Sequence, residues 1–134
     1  MNDELAFECH IWIGTSFTSE EEYLAYFELD FSVQGDFSAP GYKRCQFCLD
    51  VGLDWYDEDY ITIIPRLDVA VDLDTILVEA PILEEEMNKV KEKCAGLGIE
   101  RANAIFCYSE PDFVVPKPYK SNYNGLKYVG VFVG

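Results

Sequence analysis

The densest group of side chains able to do chemistry is Asp54-Trp55-Tyr56-Asp57-Glu58-Asp59-Tyr60, with four carboxylates and three large rings in seven consecutive residues. Carboxylates so close together suit paired acid–base work, cation binding, or bidentate pairing with arginines of a partner. A calcium loop lacks the regular spacing of oxygen ligands and the glycine at its sixth position, and paired acid–base carboxylates are a weak signal in a chain whose 25 acids make such pairs by chance. Tyr and Trp beside acids are also typical of protein-binding hot spots. Against all three stands the plain alternative that Trp55 and Tyr56 pack inward and the acids are only solvated.

Two further groups invite a chemical reading. Cys45-Gln46-Phe47-Cys48 has the spacing of a redox dithiol or of half a zinc site. Redox use asks for the first cysteine at a helix N-terminus, where its thiolate is stabilised. The sequence instead predicts Cys45 inside a helix, after two basic residues. A structural zinc would need a second ligand pair, and the sequence holds neither another Cys-x-x-Cys nor a histidine pair. His10, the single histidine, is the obvious acid–base or nucleophile-activating group, but it sits in a strand pattern next to Trp12, where packing accounts for it. No glycine-rich phosphate loop and no nucleophile elbow occurs.

The elements that must position these groups follow from periodicity. Residues 7–14 alternate as a strand, with Phe7, Cys9, Ile11 and Ile13 on one face and Glu8, His10 and Trp12 on the other. Thr18 and Ser19 each have a glutamate three residues on, the capping-box spacing, and Leu24, Phe27 and Phe31 predict the buried stripe of the helix that follows. Residues 32–41 read as a loop. A second helix is predicted over 42–51, with Tyr42, Cys45 and Leu49 on one side and Gly52 as its stop. A strand follows over 60–64, closed by Pro65. Residues 66–80 read as strand or extended chain and then a turn, with Asp74 available to cap a helical turn. Pro81 opens a third helix whose Leu83, Met87, Val90 and Cys94 form a buried stripe, stopped by Gly96 and Gly98. The apolar runs 102–108 and 128–133 read as central strands covered on both faces.

The chain of 134 residues is long enough for one domain with a real core. Its formal charge is −15, which excludes direct binding to nucleic acid or to an anionic membrane surface. Residues 1–80 hold 18 acidic and 3 basic side chains, whereas residues 81–134 hold 7 of each, so the whole excess lies in the first three-fifths. That bias serves either solubility or docking of a basic partner. An acidic start, five cysteines and the lack of any apolar run near 20 residues predict a reducing cytoplasm with free thiols.

Taken in order, His10-Ile11-Trp12-Ile13-Gly14, Ser19-Glu20-Glu21-Glu22-Tyr23, Phe47-Cys48 and Trp55-Tyr56-Asp57-Glu58-Asp59-Tyr60 resemble the immunity protein 22 family. Ala102-Asn103-Ala104-Ile105 and Leu126-Lys127-Tyr128-Val129-Gly130-Val131-Phe132 resemble the closing strands of those proteins. Residues 66–80 and 111–121 match no pattern. The resemblance implies a protein encoded beside a bacterial polymorphic or contact-dependent toxin, one that binds the toxin and is not an enzyme.

The expectation is therefore a single α+β domain over residues 1–134, a sheet of four or five strands packed by about three helices. It would be a cytoplasmic inhibitor of a cognate toxin domain, a basic nuclease, with no catalytic residue, metal or cofactor of its own. The partner-binding residues expected are Asp54, Asp57, Glu58 and Asp59, with Trp55 and Tyr56 as apolar anchors where exposed and Asp68, Asp72 and Asp74 as a second acidic contributor. The alternatives are a small carboxylate-based enzyme or metal-binding domain, or a regulatory module for another basic protein.

Overall fold

In the computed structural model, which describes residues 7–30, 41 and 43–134, strand β1 (Glu8–Gly14) separates two cores. Its alternation sends Cys9, Ile11 and Ile13 to one side and His10 and Trp12 to the other, and both sides are buried. The Trp12 side is aromatic: Tyr23, Phe27, Phe47, Phe106 and Tyr108 share one cluster, with Trp12 and Phe106 stacked at 4.8 Å between centroids. The Ile11 side is aliphatic, with Leu73, Ile76, Val90, Cys94 and Ile105. A sheet apolar on both faces must be covered on both, and helices do so here.

The main sheet is antiparallel, in the order β2 (Ile61–Ile63), β5 (Ala104–Tyr108), β1, β6 (Leu126–Val133). A second, two-stranded ladder joins β3 (Val71–Asp72) to β4 (Arg101–Ala102). Helices α1 (Glu20–Ala25) and α2 (Gln46–Val51) cover the aromatic face, and α3 (Leu73–Ile76) and α4 (Met87–Gly96) the aliphatic one. The architecture is the expected mixed α+β.

Local chemistry explains the boundaries. The Ser19 hydroxyl accepts the Glu22 amide at 3.1 Å and opens α1 as a capping residue should. Gly52 adopts φ 74°, the left-handed conformation that ends α2. Asp72, rather than Asp74, caps α3. Gly14 allows the sheet to close on β6, because a Cβ there would lie 2.8 Å from the Leu126 Cα.

Several expectations are corrected. Helices α1 and α2 have six residues each, and their stripes differ from those predicted. Leu24 and Leu49 are exposed, whereas Tyr23, Tyr26, Phe27, Phe47, Cys48 and Val51 are buried. Phe31, Tyr42 and most of the loop at 32–41 lie outside the described residues. Leu83 is exposed, and a 3-10 turn at Glu84–Glu86 precedes α4, while Val90 and Cys94 are buried as predicted. Strand β5 is central and wholly buried, but β6 is an outer strand whose Lys127, Val131 and Val133 face solvent.

The register also fixes where the loops lie. Ile61 pairs with Tyr108 and Ile63 with Phe106. The segment entering β2 therefore sits where β5 finishes. The segment leaving β2 sits at the opposite end of the sheet, beside Asn103 and the exit of β1.

Candidate functional site

The acidic segment entering β2 is held by its own main chain. The buried Tyr56 hydroxyl donates to the Phe27 carbonyl and locks the loop onto the end of α1. The Asp57 amide donates to the Tyr108 hydroxyl at 2.8 Å, and that hydroxyl donates to the Glu110 carboxylate at 2.7 Å. The Asp57 carboxylate accepts the Asp59 amide at 2.9 Å, and the Tyr60 carbonyl accepts the Ser109 amide at 2.9 Å. The result is a fixed turn that presents Glu58, Asp59 and Tyr60 to solvent. Asp59 and Tyr60 line a groove of about 310 Å³ together with Phe7, Pro81 and Pro111.

The nine residues singled out in the sequence do not share one place. Tyr56 is a core residue and Trp55 is half-buried against the aromatic cluster, so neither ring stands free as an anchor. Asp54 faces the Arg44 guanidinium at 3.8 Å. Asp68 is exposed at the far end of β2. Asp72 accepts the Thr75 amide and hydroxyl at 2.8 and 2.7 Å, and these bonds hold its carboxyl below the usual range. Asp74 pairs with Lys91 at 2.7 Å. Asp57, Glu58, Asp59 and Asp68 have no cationic partner among the described residues.

His10 is a structural histidine, 3% exposed. Its Nε2 lies 2.9 Å from the Phe113 carbonyl, which can only accept, so Nε2 carries the proton; Nδ1 then accepts from the Tyr128 hydroxyl at 2.8 Å. Burial pushes the imidazole pKa down. The cysteine motif differs from its expected placement. Cys45 is the N-cap of α2, not an interior residue, because its extended backbone lets Sγ accept the Cys48 amide at 3.4 Å. The Cys48 thiol donates to the same sulfur and lowers the Cys45 pKa to about 7. Both thiols are nonetheless buried in the aromatic core. Among the described residues no group of three or more His, Cys, Asp or Glu is arranged to hold a metal ion.

The loops at the opposite end of the sheet, 15–19 and 64–70, supply the Ser19 cap and the candidate Asp68, but nothing in the sequence singles out Phe17 or joins the two loops. They carry the exposed Phe17, Leu67 and Val69 and are joined by the buried side chain of Asn103. A single aromatic residue in a loop has no periodicity to mark it. The one available signal was a large apolar residue among polar neighbours.

No helix among the described residues is long and apolar enough to cross a membrane. No curated protein and no solved structure matches the chain. A family model does, over residues 9–133, and its description is Immunity protein 22. That span takes in the Trp12 core, the acidic turn and, but for Glu8, the strands of both sheets, and on it the chain belongs to the immunity protein 22 family.

Proposed function

We propose that the chain neutralises a basic nuclease toxin in the cytoplasm by docking an acidic surface that follows the outer edge of β2. Membership of an immunity-protein family carries toxin neutralisation and a cognate toxin as partner. One observation carries this: Asp57, Glu58 and Asp59 have no cationic partner among the described residues and lie on a hydrogen-bonded turn beside the exposed Tyr60. A nuclease must expose cationic groups to bind a phosphate backbone. Carboxylates fixed in advance can occupy those groups in place of the substrate and steer the encounter. Asp68, at the other end of β2, extends the same surface. Asp54, Asp72 and Asp74 contribute less, because Arg44, Thr75 and Lys91 already engage them.

The experiment is co-expression with the toxin encoded by the adjacent upstream gene. Cells carrying both proteins are expected to grow, and cells carrying the toxin alone to die. Equal killing in the two cultures overturns the function. Binding of the catalytically inactivated toxin domain then locates the surface. Asp57→Lys combined with Asp59→Lys is expected to weaken it at least tenfold. Unchanged affinity would remove the acidic turn from the interface.

A further inference from the structure

We propose that the loops leaving β1 and β2 form a second part of the toxin-binding surface, with Phe17 as its apolar anchor. This rests on the toxin-binding reading above. Phe17 is 65% exposed, yet the residue before it, Ser16, is bonded through both its amide and its carbonyl. The Asn103 side chain, 1% exposed, accepts the Ser16 amide at 2.8 Å and donates to the Ser16 carbonyl at 2.8 Å and the Leu67 carbonyl at 3.1 Å. The Leu67 amide returns a bond to the Asn103 carbonyl at 2.9 Å. Arg66 adds a bond to the Ser16 carbonyl at 3.0 Å while its guanidinium lies 4.4 Å from the centroid of the Tyr23 ring. A buried asparagine and a stacked arginine thus hold in place two loops whose apolar side chains face water.

The loops enclose a cleft of about 300 Å³ lined by Phe17, Glu20, Leu67, Asp68 and Asn103. Arg66 is the one cation lining it among the described residues, and the Ser16 carbonyl and Tyr23 ring occupy its guanidinium. On the other side of the Phe17 loop lies a second cleft of about 610 Å³. An exposed aromatic ring that lines two clefts, bordered by carboxylates, fits a partner with an apolar pocket rimmed by lysines or arginines. Because the loops are fixed beforehand, docking pays little ordering entropy. The anchor that Tyr56 cannot supply is supplied by Phe17, and Asp68 belongs to both parts of the surface.

The test uses the purified full chain and the catalytically inactivated domain of the toxin encoded upstream, with affinity and dissociation rate measured by interferometry. Phe17→Ser is expected to raise Kd at least tenfold, mainly through faster dissociation. Phe17→Tyr should stay within threefold of wild type. Val78→Ser, at a side chain 72% exposed elsewhere, should change nothing. If wild type binds and Phe17→Ser binds within twofold of it, or if Val78→Ser weakens binding equally, this inference is overturned while the toxin-binding reading stands. If wild type itself does not bind, that reading falls, and this inference with it.

Discussion

At the scale of single residues, His10 couples the fold to pH. Its neutral imidazole joins β1 to the Phe113 carbonyl and to Tyr128 of β6. Burial is the main cause that lowers its pKa below the ordinary 6.5, against the smaller raising effects of the Phe113 carbonyl and Glu8. The unfolded chain therefore binds this proton more readily than the native one. The stabilising contribution is complete above about pH 6.5 and is lost as pH falls toward the depressed native value. Carboxyls held low in the fold, such as Glu86 and Asp72, start from ordinary values of 4.5 and 3.8, so they act in a lower window. Urea unfolding at intervals from pH 7 to pH 5 should show stability declining in wild type. In His10→Gln the slope over that window should flatten, whatever the absolute cost of the substitution. Parallel slopes would mean that another group titrates there.

At the scale of elements, the loops at one end of the sheet are bridged by the side-chain amide of Asn103, with Arg66 bonded to the Ser16 carbonyl beside it. Asn103→Ala leaves the Ser16 amide and the Leu67 carbonyl without the amide that bridges them and the Ser16 carbonyl with Arg66 alone, and unpaired groups of this kind cost about 2 kcal/mol in total when water enters only in part. Urea unfolding is expected to show that loss, whereas Phe17→Ser should leave stability within about 0.5 kcal/mol, because the ring is in water already. An unchanged midpoint for Asn103→Ala would mean that solvent replaces the bridge. None of this bridge was legible in the sequence, since its contacts join residues 36 and 87 positions apart. Strand β1 was legible because a period of two survives burial on either face, and β5 and β6 as apolar runs, although β6 is an outer strand and the short β4 left no pattern. The Ser19 cap and the Gly52 stop were legible for a similar reason: they depend on a few neighbouring atoms. The stripes of α1 and α2 were misread because six residues span under two turns, and a stripe so short fits several registers. The side facing the aromatic core was decided by Trp12 and Phe106, far away in the chain. The acidic turn was visible as composition, but only the fold reveals that Tyr56 is spent on packing and that Asp54 is partnered by Arg44.

At the scale of the whole molecule, charge acts in two directions that salt can separate. The excess of −15 sits in residues 1–80, which contribute α1, α2, α3 and the segments at both ends of β2, while the neutral remainder forms α4, β5 and β6. Among the described residues, four ion pairs neutralise a small part of the acidity. Like charges on a small domain repel one another, so screening should raise the stability of the free protein. The same screening should slow capture of a basic toxin, since the Debye length shrinks from about 30 Å at 0.01 M salt to about 3 Å at 1 M. Stopped-flow association between 20 and 500 mM salt is expected to slow about tenfold or more, with dissociation far less affected. In Asp57→Lys combined with Asp59→Lys the dependence should be shallower, because the strongest uncompensated part of the surface is gone. Phe17→Ser should keep the full salt slope while dissociating faster, as an uncharged anchor must. An association rate indifferent to salt in wild type would show that the acidity serves the free protein alone and that steering plays no part in capture.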